Sequence, residues 1–257
     1  MLKKYLLALC LGGLSLGACA ADTGTAPTPG TTVTPAAQKM VQQAIRSLAA
    51  NIQIDSIEPA PMPGFYQVIA SGQMVYISDD GRFIMHGEVI DLSRKRNVSD
   101  DAWAAFRKAE LAKVPASDRI VYAPANPKYT VTVFTDVNCG FCRALHEHMA
   151  EFNKAGIAVE YLAWPREGVQ TTAGRPTETY TQMVSVWCDK DRKAAFAAAT
   201  NGHPPAAATC TNPVKQQFDL GLKLGVNGTP AIYGPDGQVL GGYVTPAQML
   251  EALKKGG

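Results

Sequence analysis

The sequence lacks a charge excess of either sign. Twenty-four lysines and arginines face 22 acids, a formal +2 over 257 residues. With the basic residues dispersed, neither nucleic acid nor an anionic membrane surface is an expected partner. A bilayer-spanning start is missing too, because the apolar run Tyr5 to Ala18 is too short. Cysteine is sparse, six in all, and beside the one C-x-x-C there is no second close pair of the kind a zinc site needs. His146 and His148 match no H-E-x-x-H pattern. No metal and no cofactor are therefore expected. The 46% hydrophobic content is enough for a real core, and the length suits two modest domains.

Lys3 and Lys4 followed by that short apolar run make an export signal, expected over residues 1–20. Ala18-Cys19-Ala20 offers cleavage before Ala21, while Leu16-Gly17-Ala18-Cys19 also resembles a bacterial lipobox, with a lipid anchor at Cys19. Both remain open at this stage. In either case the folded part keeps Cys139, Cys142, Cys188 and Cys210, and an even number in an exported protein implies two disulfides.

The chain is organised around Phe134 to Cys142. An alternating apolar run, Tyr129 to Val137, stops there and two cysteines open a helical pattern. Cys142, Leu145, Met149 and Phe152 recur at helical spacing, which buries one face and leaves Arg143, Glu147, Glu151 and Lys154 to water. The dithiol thus sits in a first helical turn, where free N–H groups and the helix dipole favour a thiolate. Cys139 is expected to be the acidic one. A pKa drop of roughly three units corresponds to roughly 4 kcal/mol of differential stabilisation. Residues at i and i+3 share a helix face, so Cys139 and Cys142 can cycle between dithiol and disulfide with little backbone movement. Gly140 leaves the approach to sulfur open, and Phe141 offers an apolar contact beside it.

Before the dithiol, Ala21 to Pro35 reads as a disordered Thr/Pro/Gly/Ala tether and Ala36 to Ala50 as an amphipathic helix. Strand-forming runs follow at Phe65–Ala70, Met74–Ser78, Arg82–Met85 and Glu88–Leu92, with Asp79-Asp80-Gly81 as a hairpin turn. These predict a small antiparallel sheet on one helix, too slight to be comfortable alone. Ser99 is the expected cap of a helix running to about Lys113. After the dithiol helix, Ile157 to Trp164 predicts a second buried strand parallel to the first, and Glu178–Cys188, Asp189–Thr200 and Pro213–Leu224 predict helices. Ala231–Tyr233 and Val239–Tyr243 pair as a hairpin, and Thr245 to Gln248 boxes the last helix.

Strand, dithiol helix, parallel strand, helical insert, Gly228-Thr229-Pro230, hairpin and final helix is the order of an interrupted thioredoxin fold. The segments Phe134-Thr135-Asp136, Cys139-Gly140-Phe141-Cys142, Leu145-His146-Glu147, Tyr161 to Arg166, Val186-Trp187-Cys188, Gly225 to Pro230 and Tyr76 to Gly81 together resemble the DsbC/DsbG family of periplasmic thiol:disulfide interchange proteins, on its DsbC side. The resemblance implies an α+β N-terminal dimerisation domain at 37–98 behind a flexible tether at 21–36. A linker helix at 99–115 and an α/β thioredoxin-like catalytic domain at 116–257, with its helical insertion at about 166–225, complete the implied chain. It also implies a periplasmic homodimer that reshuffles wrong disulfides in exported proteins, with chaperone activity and a DsbD-like membrane reductant as electron donor.

Catalysis falls to Cys139 and Cys142 flanked by Gly140 and Phe141, and Cys188 and Cys210 match the family's structural disulfide. Thr229-Pro230 matches its cis-proline loop, which sets the Thr229 backbone opposite Cys139 to pair with an extended substrate. The stretch Val169 to Tyr180 is longer than the family norm. Asp136 either tunes the dithiol or satisfies loop amides, and the expectation for His146 and His148 is solvated helix positions, for Trp187 core packing. A DsbG-like reductase or oxidase, and a holdase, are the competing functions.

Overall fold

The computed structural model describes residues 32–256. The expected signal segment, the processing sites around Cys19 and the tether as far as residue 31 lie outside them. Helix α1 (Pro35–Leu48) begins inside the stretch expected as tether, because the Thr34 hydroxyl caps it by accepting the Ala37 N–H at 3.2 Å. It lays Val41 and Ile45 on Val68, Val75 and Ile77 of a four-stranded antiparallel sheet. That sheet has the order β1 (Ile54–Pro59), β2 (Phe65–Ala70), β3 (Gln73–Ser78), β4 (Ile84–His86).

Two sequence expectations fail here. Strand β1 goes unread because a register shift between Ile54 and Ser56 breaks the period-two alternation. Residues 88–92 do not complete the sheet. Instead β5 (Ile90–Asp91) pairs with β6 (Arg96–Asn97) in a separate ribbon, and the Val89 N–H donates to Ser99 Oγ at 2.7 Å.

Ser99 is also not the cap of the next helix, α2 (Val98–Leu111). Asn97 takes that place, its side-chain oxygen accepting the N–H groups of Ser99 and Asp100. Ser99 is buried and meets the Tyr76 hydroxyl at 2.7 Å. Helix α2 serves two cores. Trp103 and Phe106 pack with Ile69, Met74 and Tyr76 of the N-terminal sheet, while Leu111, again with Phe106, packs with Phe134, Leu162, Trp164 and Leu224.

Polar contacts fasten the same joint. Arg107 Nε donates to the Leu224 carbonyl at 3.2 Å, and the Lys223 ammonium lies 3.0 Å from Glu110 and 3.7 Å from Asp55. Gly72, at φ +73°, abuts the Leu222 carbonyl so closely that any side chain would collide with it.

A 3-10 turn at Ala116–Asp118 leads into the second half. Its five-stranded sheet has the order β11 (Val239–Gly241), β10 (Ala231–Tyr233), β8 (Tyr129–Thr135), β9 (Ile157–Ala163), β7 (Ile120–Tyr122). Strands β8 and β9 are parallel, from Tyr129 opposite Ile157 to Thr135 opposite Ala163. Edge strand β7, at three residues, is too short to carry a readable pattern.

The dithiol helix is two pieces, α3 (Gly140–Glu147) and α4 (Met149–Lys154). At the break the His148 N–H bonds the Leu145 carbonyl, an i−3 bond that tightens the turn. Met149 and Phe152 still reach the core beside Val131, Val159, Tyr161 and Trp187. Between β9 and β10 come α5 (Glu178–Cys188), α6 (Arg192–Thr200) and α7 (Val214–Lys223), with a Cys188–Cys210 disulfide inside this insertion. Helix α8 (Pro246–Gly256) closes the chain behind the Thr245–Gln248 box. The architecture is the expected one: a β-rich N-terminal domain, a linker helix and an α/β domain with a helical insertion.

Candidate active site

Strands β8 and β9 end side by side, and the Trp164 N–H bonds the Thr135 carbonyl at 2.8 Å just beyond the pairing. The carboxyl ends of parallel strands are where α/β sheets place their chemistry. Asp136, 1% exposed, organises the loop there. One carboxylate oxygen accepts the Asn138 N–H at 2.7 Å, and the other accepts the Arg166 backbone N–H at 2.8 Å and its Nε–H at 3.3 Å. Asp136 therefore satisfies loop amides. The Asn138 amide donates to Thr179 and Gln182 of α5 at 3.0 and 2.9 Å, tying the insertion to the dithiol loop. Arg143, expected on the wet face, folds back so that Nε donates to the Val137 carbonyl at 3.0 Å. Cys139 follows as the N-cap of α3.

Neither cysteine of this pair is in a disulfide, and both are buried, 2% exposed for Cys139 and 1% for Cys142. Cys139 Sγ lies 3.2 Å from the Thr229 carbonyl oxygen, and the Thr229–Pro230 peptide is cis. Residues far apart in sequence thus meet at one sulfur. Gly140 faces open space, and Phe141, 66% exposed, stacks on Tyr243 with ring centroids 6.4 Å apart. Cys188 and Cys210 stand in the insertion, joined to each other with a Cα–Cα distance of 5.8 Å.

The two thiols differ electrically. The Cys139 thiol is lowered from 9.0 to about 5, chiefly because the Cys142 thiol hydrogen-bonds to its sulfur. Burial opposes this, and the Thr229 side chain, the Cys142 backbone N–H and the Arg166 guanidinium assist it. The Cys142 thiol is pushed far up, first by burial and then by its bond to Cys139. At neutral pH the site therefore holds one thiolate and one thiol. The hydroxyls of Thr135 and Thr229 are buried without another partner, and they flank the sulfurs, Thr135 at Cys142 and Thr229 at both.

Sequence reasoning assigned no role to Arg166, Asn138 or Tyr243. Arg166 was within reach of it: a residue just past a strand parallel to β8 must land beside the loop that β8 feeds. His146 is a correction. It is half-buried between Tyr122 and Phe196, with centroids 5.0 and 5.1 Å away, and burial lowers its pKa. Trp187 is fully buried and donates Nε1–H to the Asp118 carbonyl at 2.9 Å. Among the described residues no group of three His, Cys, Asp or Glu side chains is placed to hold a metal ion.

Both halves of the chain also match known families. The thioredoxin-like domain family matches residues 116–257, and the disulfide bond isomerase protein N-terminal domain family matches residues 30–100. The thiol:disulfide interchange protein DsbC of Escherichia coli (strain K12) is 36% identical over 215 residues, covering 83% of this chain and 86% of that protein. DsbC of Haemophilus influenzae is 34% identical over 205 residues, covering 80% and 86%. A crystal structure of a disulfide interchange protein from Neisseria gonorrhoeae aligns at 27% identity and a TM-score of 0.47, over 55% of this chain and 97% of that one. With both halves matched in order and more than four-fifths of the chain aligned to the first of these relatives, the chain belongs to the DsbC family of thiol:disulfide interchange proteins, enzymes of the oxidoreductase and isomerase class.

Proposed function

We propose that the chain is a periplasmic disulfide isomerase and reductase, acting as a homodimer on exported proteins that carry wrong disulfides. The observation that carries this is the Cys139 sulfur, acidified by Cys142 behind it and set 3.2 Å from the Thr229 carbonyl in front. Cys139 is the nucleophile. Its thiolate attacks one sulfur of a client disulfide, forming a Cys139–client disulfide and expelling the other client sulfur as thiolate. A second client thiolate can then attack the client sulfur of that bond, leaving a new client disulfide and a free Cys139 thiolate. No electrons are gained or lost on that route.

On the other route Cys142 attacks Cys139 Sγ, its proton passing to the departing client thiolate. The client leaves with two added electrons, one sulfur as a thiol and the other as a thiolate that takes its proton from water, and Cys139–Cys142 becomes a disulfide that an external dithiol donor, a DsbD-like membrane protein, must reduce. Thr229 and Pro230 receive the client as an extended segment, and Phe141 contacts its apolar residues. Exposed Phe83, Met85 and Ile90 on the N-terminal domain support a second copy docking there, and a cleft between copies would supply the chaperone activity. The export signal expected over residues 1–20 supports a periplasmic setting, free or lipid-anchored at Cys19.

Recovery of activity from a scrambled multi-disulfide substrate tests the reading. Catalysed recovery without added oxidant is expected. Net reduction of the substrate with no recovery would instead mark a reductase.

A further inference from the structure

Arg166 follows β9 where that strand ends against the dithiol loop. Two of the three N–H groups on the buried Asp136 carboxylate are its own, the backbone at 2.8 Å and Nε at 3.3 Å, both on one oxygen. The far edge of the guanidinium reaches on, an Nη donating at 3.3 Å to the carbonyl of Asn138, the residue before Cys139. One cation is therefore pinned at its stem by a buried acid while its tip lies on the chain at the reactive cysteine. Arg143 is the natural contrast. It supports the same loop from α3, through Val137 at 3.0 Å and the Asn138 side chain at 3.4 Å, yet only Arg166 adds to the charge felt by Cys139.

Other groups at the loop are Asp136, just past β8, and Cys142 on α3; α5 presents the neutral Thr179 and Gln182, with the Glu178 carboxylate accepting from Gln182, and the Thr229 segment presents a carbonyl and a hydroxyl.

We propose that Arg166 is a positioning residue of the exchange reaction: anchored on Asp136, its guanidinium holds positive charge beside the Cys139 loop and favours the thiolate, and with it the reduced dithiol over the disulfide. This rests on Cys139 being the nucleophile. An opposite charge nearby favours the ionised form, and because the Arg166 side chain is 47% exposed, solvent and salt weaken the effect.

The test titrates reduced full-length chains by thiolate absorbance and equilibrates them with glutathione buffers. R166Q is expected to lower the Cys139 thiolate-to-thiol ratio about threefold at a given pH. The equilibrium should move toward the disulfide by the same factor, since only the reduced state contains the thiolate. R166K keeps the charge without the planar two-point bridge and should recover most of both. R143Q should change neither. An unshifted R166Q, an equal shift in R143Q, or no recovery in R166K would overturn the proposal.

Should R166Q fail to fold, the wild type decides. Its titration must move upward as salt rises from about 0.01 M to about 1 M, and a fixed titration overturns the proposal. Adduct trapping by Cys142→Ala reports separately on the nucleophile. Adducts at Cys139 with no effect of R166Q sink this proposal alone, and their absence sinks the nucleophile assignment and this proposal with it.

Discussion

The Cys139 sulfur stands 3.2 Å from the carbonyl oxygen of Thr229, a residue 90 positions along the chain. On the proposed reading a client strand lies along Thr229 and delivers its own sulfur to Cys139, with Cys142, 1% exposed, behind the new bond. Cys139→Ala should therefore abolish exchange. Cys142→Ala should accumulate client adducts while keeping some reshuffling, seen on non-reducing gels as bands that dithiothreitol removes. Adducts in Cys139→Ala and none in Cys142→Ala would reverse the two roles.

The rate at which iodoacetamide labels the reduced dithiol should rise with pH around a midpoint of about 5 and then level off. The folded value lies below the ordinary 9.0, so the thiolate's contribution to the stability of the reduced protein is complete above 9.0 and is lost as pH falls through about 5. The advantage of the reduced form over Cys139→Ala should shrink across that same interval. A labelling midpoint near 9 would contradict the lowered value.

Cys188 and Cys210 are 22 positions apart, and closing that loop restrains the unfolded chain by about 3 kcal/mol. The double alanine variant should melt lower by about 10 °C while keeping most of its turnover. Unchanged melting with lost turnover would place the pair in the chemistry.

Removing the N-terminal domain should leave a monomer that still reduces simple disulfides and isomerises poorly. Where the cut falls matters. A chain starting at Val98 keeps Phe106 and Leu111 over Phe134, Leu162 and Trp164, whereas one starting at Ser117 uncovers them. The shorter chain should be the less stable of the two by several kcal/mol, as expected for exposing several large apolar side chains. Sedimentation and urea melts of both fragments check this, and a dimeric fragment with full isomerase activity would contradict the division of labour.

The second half was largely legible in the sequence because its central strands β8 and β9 are buried on both faces and its helices carry their own punctuation. Helix α5 begins and ends where the pattern put it, and α7 starts one residue after Pro213, with Asn212 Oδ1 accepting the Val214 N–H. The N-terminal half was less legible. Register slips at Ile54/Ser56, and the pull of Ser99 on Val89, are decided by tertiary partners that no local period encodes. The dithiol was plain from its spacing. Its setting was not: Asn138 acts through a bond to a residue 44 positions away, which a reading of neighbours does not reach, and Arg166, 28 positions from Asn138, follows only once the parallel pairing of β8 and β9 is drawn.

Phe106 touches both cores, and that gives the two halves a common inheritance. A substitution that suits the N-terminal sheet must also suit the wall of the redox domain, so the halves cannot drift independently at this seam. Recombination between relatives meets the same limit. A crossover before Val98 orphans Trp103 from the sheet it evolved against, and one after Leu111 orphans Leu111 from Trp164, so an exchanged half arrives with one ill-fitting face wherever the crossover falls.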